Sequence, residues 1–207
     1  MSNQIEKYNQ LKSEVADFKT KLEASDAFYK VKDSIKGYQI LLSPLQYRPD
    51  FMFIGINPGA GSYKVTGKVS YQLEPQSKME YVHGRYTLAT QTKEVFELAG
   101  LSKEDLSRAV KTNFYFVATE NAQILKALQK NITFVNFGKK SKDWNKRLIK
   151  MIQPKMILCE GWSAFSPVLQ HVNLKVNWDG DVAYTKWKDT HVIGYKRRHS
   201  QIIDKEG

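Results

Sequence analysis

The sequence predicts an α/β domain built on a mostly parallel central sheet, and three observations carry that reading. Short apolar runs at 51–54, 156–159 and 191–195, rich in aromatic and β-branched residues, have the length and composition of buried strands. Segments with helical spacing of apolar residues separate them, which is the alternation that parallel sheets require. The first run then breaks into a turn holding Gly55, Asn57, Pro58, Gly59 and Gly61. A buried strand ending in such a turn delivers backbone and one polar side chain to the carboxyl edge of a sheet, where ligands sit in open α/β folds.

In chain order, Ile5, Tyr8, Leu11, Val15, Phe18 and Leu22 recur at spacings of three and four and predict a helix with one apolar face. Phe28, Val31 and Ile35 predict a second helix to Gly37, and 41–49 reads as a loop into the strand at Phe51. Residues 1–40 are therefore expected as a helical segment packed on a domain spanning 41–207. Residues 62–85 form a long polar connection with Tyr63, Tyr71 and Tyr81 distributed through it, and Tyr86 just beyond. A connection of that length is functional more often than it is idle, and His83 and Arg85 join the candidate residues on that ground.

A helix is predicted over 90–99, ended by Gly100, and Ser102 with Asp105 has the spacing of a capping box. Residues 111–119 read as one strand with Asn113 near its start, and 121–130 as a helix. Residues 141–153 read as a basic helix whose inner face is Trp144, Leu148, Met151 and Ile152. The strand at 156–159 ends in Glu160-Gly161, a helix or turn follows over 162–171, and 174–187 reads as strand-turn-strand around Asp179-Gly180. The last strand runs into Lys196, Arg197, Arg198, His199, Ser200 and Gln201.

Composition narrows the partners. The chain has 207 residues and a net charge of +11, with 14 Lys/Arg against 7 Asp/Glu from Gly138 onward. An excess concentrated in one half points toward a polyanion. Cys159 is the only cysteine, so neither a disulfide framework nor a four-cysteine metal site can form. His171 and His191 lack metal-ligand spacing and read as structural. Cys159 and the four tryptophans at 144, 162, 178 and 187 read first as core residues. No apolar run approaches the roughly 18 residues that span a bilayer, and the first residues lack an apolar signal core. The expectation is a cytoplasmic protein with no membrane partner.

The glycine turn fits neither familiar phosphate loop. Counting from Gly55, the second glycine of a Walker loop would fall on Ala60, and the third of a dinucleotide fingerprint started at Gly59 would fall on Lys64. Asn57 is the one side chain in the turn able both to donate and to accept hydrogen bonds.

Gly55-Ile56-Asn57-Pro58-Gly59 after a buried strand, an asparagine-bearing strand at Thr112-Asn113-Phe114, and a late strand running into His199-Ser200 resemble the uracil-DNA glycosylase superfamily. The first motif is most similar to the mismatch-specific and single-strand-selective branches, and the landmarks cover roughly residues 51–201. The resemblance implies a three-layer α/β/α fold and a cofactor-free, metal-free, monomeric hydrolase acting on uracil or a related lesion in single-stranded or mismatched DNA. It implies that Asn57 orients water and that His199 hydrogen-bonds the departing base. Gly55, Ile56, Asn113 and Phe114 would then bind the base, with Tyr63, Tyr71 and Phe114 as candidate stacking rings. Pro58, Gly59, Gly61, Lys64, Arg197, Arg198 and Ser200 would hold phosphates.

Two features depart from the family pattern. Asn57 stands where other branches have aspartate, and an amide cannot serve as a general base. Ser200 directly follows His199, where the family has proline and a DNA wedge. Two other readings stay open: a catalytically silent nucleic-acid binder of the same fold, and an α/β enzyme for a small nucleotide.

Overall fold

A computed structural model of the protein describes residues 2–29, 32–58, 70–119, 123–125, 132–170 and 175–195. Helix α1 (Ser2–Glu23) buries Tyr8, Leu11, Val15 and Leu22, as its spacing predicts, while Ile5 is left 56% exposed. Its inner face lies on α6 (Ile132–Ile152), where Phe18 stacks on Phe137 at 5.6 Å and meets Trp144 edge-on at 5.5 Å. Arg147 of α6 also grips Glu14 of α1 through two hydrogen bonds of 2.6 and 2.8 Å.

The helix predicted through Gly37 does not form. Helix α2 covers only Asp26–Tyr29, a 3₁₀ turn occupies Lys32–Ser34, and strand β1 runs Ile35–Gln39. Gly37 has φ of 151°, which no helix allows, and Ile35 and Tyr38 are buried. Tertiary pairing outweighs a local spacing that carries little intrinsic preference. Strand β1 sits between β3 (Ser70–Gln72), parallel to it, and β5 (Val117–Thr119), antiparallel. Strand β3 therefore interrupts the polar connection expected over 62–85, as does the short helix α3 (Glu80–His83).

The main sheet has six strands: β2 (Phe51–Gly55), β4 (Val110–Asn113), β6 (Met156–Cys159), β7 (Asn177–Asp179), β8 (Val182–Trp187) and β9 (Thr190–Tyr195). Their order is β4-β2-β6-β9-β8-β7. The first four are mutually parallel, and β8 and β7 add an antiparallel edge. The fold is thus mixed α/β with a mostly parallel central sheet. Residues 111–119 divide between two sheets instead of forming one strand. The reason lies in the preceding segment: the Thr112 hydroxyl donates to the Ile40 carbonyl at 2.7 Å, and the Gln39 N–H donates to the Phe116 carbonyl at 2.8 Å.

Apolar side chains leave the sheet on both faces. Met52, Ile54, Val110, Ile157, Cys159 and Val192 join a core with α1, α6 and α7 (Trp162–Leu169). On the other face Phe53 packs with Tyr81, Phe96 and Leu106, carried by α3, α4 (Thr87–Leu98) and α5 (Lys103–Ser107). Ser102 and Asp105 form the predicted capping box at the start of α5. Of the apolar residues of α4, Val95 and Leu98 are 61% and 88% exposed, while Phe96 and Ala89 take the inner face.

Lys111 of β4 is buried in this second cluster. Its ammonium lies 2.8 Å from the Glu80 carboxylate and 3.7 Å from the Tyr81 ring centroid, so the charge is paired and covered by an aromatic face.

Two outcomes follow from this packing. A Cβ at Gly194 would collide with the Phe165 ring of α7, so Gly194→Ala is expected to destabilise the fold by about 1–3 kcal/mol in denaturant titrations. The bond to Arg147 holds the Glu14 carboxyl below its ordinary value of 4.5. The contribution of that contact is therefore present above pH 4.5 and lost as pH falls through the lower folded value. Acid titration monitored by hydrogen exchange in α1 is expected to show this loss, and Glu14→Gln to abolish that part of the pH dependence.

Candidate functional site

Strand register builds the site. Gly55 of β2 pairs with Asn113 of β4, and Ile54 pairs with Cys159 of β6. The Glu160 N–H donates to the Ile54 carbonyl at 2.9 Å, so the β2–β6 ladder continues one residue past Cys159. Residues two apart on a strand share a face. Asn113, Gly55 and Glu160 therefore stand side by side, on the face that carries Lys111, Phe53 and Leu158 one step back. All three strands end here, at the carboxyl edge.

The two polar side chains lean toward each other over the glycine. A Cβ at position 55 would collide with Asn113 Oδ1 and stand 2.9 Å from Glu160 Oε2. Asn113 is 3% exposed, and its Nδ2 has no hydrogen-bond partner among the described residues. A buried amide donor left unmade costs about 1–3 kcal/mol, and native proteins tolerate few of them.

The turn after β2 is held by backbone bonds. Gly55 and Ile56 carbonyls accept from the Phe114 and Tyr115 N–H groups at 2.7 and 2.9 Å. Asn57 is half-buried, and its Nδ2 donates to Thr119 Oγ1 at 3.0 Å and to the Pro58 carbonyl at 3.3 Å. Asn57 thereby ties the main sheet to β5 of the smaller one. Its Oδ1 side remains the acceptor face that a water could use.

Other sequence candidates fall in different places. Phe114 is buried in the main core, edge-on to Tyr115 at 4.9 Å, and burial pushes the Tyr115 phenol above its ordinary value. The backbone of Tyr71 pairs with Tyr38. His83 and Arg85 are exposed at the end of α3 and just beyond, and His191 is exposed near the amino end of β9. Cys159 is fully buried, which raises its thiol well above the ordinary range. Gly59, Gly61, Tyr63, Lys64, His171, Arg197, Arg198, His199 and Ser200 lie outside the described residues.

Trp144 is a core residue, but Trp162 and Trp178 are 42% and 45% exposed, with ring centroids 5.0 Å apart. Trp162 opens α7 immediately after Gly161, whose φ of 91° turns the chain sharply at the edge. Trp178 pairs with Ala183, which pairs with Gly194, the partner of Cys159. The two indoles therefore lie toward the same carboxyl edge as Asn113.

Sequence reasoning passed over Glu160 and Thr119. The only available signal for Glu160 was a carboxylate ending a buried apolar strand and followed by glycine. Among the described residues no group of three or more His, Cys, Asp or Glu could hold a metal ion, and no helix is long and apolar enough to cross a membrane. A cleft of about 430 Å³, lined by Arg48, Lys150, Trp187 and Lys188 among others, opens at the amino end of the strands, away from Asn57 and Asn113. No family model and no curated protein matches the chain.

Substituting Gly55 tests this geometry. Gly55→Ala is expected to lower stability by about 1–3 kcal/mol through steric conflict. Adding Asn113→Ala should recover part of that loss in a double-mutant cycle, because the two sites share one volume.

Proposed function

We propose that the protein is a DNA glycosylase that hydrolyses the N-glycosidic bond of uracil or a related lesion base. The observation that carries this reading is the Asn113 amide: buried at the carboxyl edge beside the Asn57 turn, with no partner for its Nδ2 among the described residues. A donor kept dry and unpaired has a use when a ligand's acceptor meets it, and a base carbonyl is such an acceptor.

The chemistry places its demands on the same edge. Cleavage leaves negative charge on the departing base and positive charge on the sugar, so fixed donors near the base and a positioned water contribute most. Asn57, anchored through its Nδ2 on Thr119, presents its carbonyl oxygen to the attacking water. Asn113 donates to the base carbonyl on which charge develops. His199 lies four residues after Tyr195, the end of β9, and β9 runs parallel beside β6 toward this edge. It is the assigned partner of the leaving base. The chain's net charge of +11 favours a phosphate-bearing substrate.

The exposed Trp162–Trp178 pair supports a second reading, a nucleic-acid binder without catalysis. Bases stack on such rings with little sequence preference.

The deciding measurement is release of free base from uracil-containing oligonucleotides, single-stranded and mismatched. Release by the native protein is expected, with losses of about 10²–10³ in rate for Asn113→Ala and for His199→Ala. Salt-dependent binding with no release at high protein concentration would favour the silent binder.

A further inference from the structure

The cleft of about 430 Å³ at the amino end of the strands has no part in the mechanism above. We propose that it is a second nucleic-acid contact, which grips the sugar–phosphate backbone of a strand lying along the outer face of α6. The proposal rests on the nucleic-acid partner that both readings above share, and not on catalysis.

The cleft is lined for an anion. Arg48, Lys150, Lys155 and Lys188 border it, with Asp189 as the one carboxylate among its lining residues. Lys155 is held by Asp50 at 2.6 Å, whereas Arg48, Lys150 and Lys188 have no carboxylate partner among the described residues. Trp187 packs against the main core and gives the cleft a fixed apolar wall. Arg48 is posed in advance. Its guanidinium lies 5.1 Å from the Tyr47 ring centroid, and its Nε donates to Gln153 Oε1 at 3.3 Å. A guanidinium held this way loses little freedom on meeting a phosphate, whose oxygens match its fork. Helix capping does not account for these side chains. The Ile149 and Ile152 carbonyls at the end of α6 accept instead from the backbone N–H groups of Gln153 and Arg48, at 2.8 Å each.

The backbone carries an independent signature. Among the described residues, three that are not glycine have a left-handed φ: Arg48 at 52°, Gln153 at 55° and Lys188 at 56°. All three line this cleft. Glycine adopts that conformation without steric cost. It is also the usual residue just past a helix end, where Gln153 stands, and in a two-residue hairpin turn such as 188–189. Long polar side chains kept where glycine would relieve strain point to a use outside the fold.

A row of cations on α6 sets the length of the ligand. Lys139, Lys142, Lys146 and Lys150 recur at spacings of three and four, on the side of the helix opposite buried Trp144 and Leu148. Asp143, the one carboxylate in that stretch, lies 3.6 Å from Arg147. Asn145 donates to the Phe114 carbonyl near the carboxyl edge, and Ile152 meets Arg48 at the amino edge. The row therefore runs down the flank of the sheet into the cleft, over roughly 16 Å at 1.5 Å per residue. A free phosphate or a mononucleotide would engage the cleft alone. A strand engages cleft and row together.

The test titrates a single-stranded thymidine oligonucleotide into native protein and into the double variant Arg48→Gly/Lys188→Gly across a range of salt. Affinity is expected to fall by about tenfold, and the log–log salt slope to become shallower by about 1.4, for two phosphate contacts at about 0.7 each. The melting temperature of the variant is expected to stay at or above the native value, because glycine relieves both left-handed positions. Lys139→Gln/Lys146→Gln is expected to lower the slope in the same way. Unchanged affinity and slope in the double variant overturn the proposal and leave the glycosylase reading intact. Changed slope with no base release from uracil oligonucleotides upholds it and overturns catalysis instead. Saturable binding of thymidine monophosphate, with no gain in affinity as the strand is lengthened, overturns it in favour of a nucleotide pocket. Absence of oligonucleotide binding by the native protein overturns it outright. Should the glycine variant fail to fold by circular dichroism, Lys146→Gln/Lys150→Gln on the helix surface takes its place, and an unchanged slope there overturns the proposal.

Discussion

Gly55 carries no side chain, and two polar side chains from the flanking strands meet in the space that one would fill. Most of the candidate site depends on this constraint. Parallel pairing puts Asn113 and Glu160 on either side of Gly55, roughly one strand spacing of about 4.8 Å away on each side. Any larger residue at 55 would push them outward and fill the cradle. The missing Cβ lets two side-chain oxygens from neighbouring strand ends, Asn113 Oδ1 and Glu160 Oε2, approach one backbone position. It also leaves the backbone free to turn immediately toward Asn57.

The edge is rigid because polar contacts hold it from behind. Segment 39–42 runs between the two sheets: Ile40 accepts from Thr112, Leu41 bridges Thr112, and the Leu42 N–H donates to the Lys111 carbonyl. Asn57 adds a second tie at Thr119. One step behind Asn113 on the same face, Lys111 is held by Glu80 and by the Tyr81 ring. A buried ion pair of this kind adds little net stability, because desolvation offsets most of the attraction. Its geometry is specific, however, and it fixes α3 against β4 directly beneath the cradle. The Trp162–Trp178 pair then extends the edge sideways with apolar rings that neither core requires.

Legibility in the sequence followed how local the cause was. Phe51–Gly55 and Met156–Cys159 were readable because a strand buried on both faces must be apolar throughout, whatever it pairs with. The Ser102–Asp105 box was readable because its whole mechanism spans three residues. Residues 35–37, the start of β1, were misread as the end of a helix, since the strand's partners β3 and β5 lie about 35 and 80 residues away in sequence and pairing decided its state. The 111–119 stretch was misread as one strand for a related reason: Asn113 and Val117 belong to different sheets, although nothing between them breaks the apolar pattern. Trp162 and Trp178 looked like core because tryptophan is usually buried. Their exposure comes from their place at a sheet edge and a helix start.

By itself the sequence determined an α/β alternation, a glycine turn after a buried strand, a strongly basic chain and the polar residues Asn57 and Asn113 as candidates. Each of these is written in residues close to one another along the chain. Only the tertiary structure decided that Asn113 shares its cradle with Glu160, that Asn57 is anchored on Thr119, and that Lys111 sits buried on Glu80. Those pairings join residues roughly 30 to 60 positions apart, and strand register, a property of the assembled sheet and not of any single segment, sets which side chains share a face.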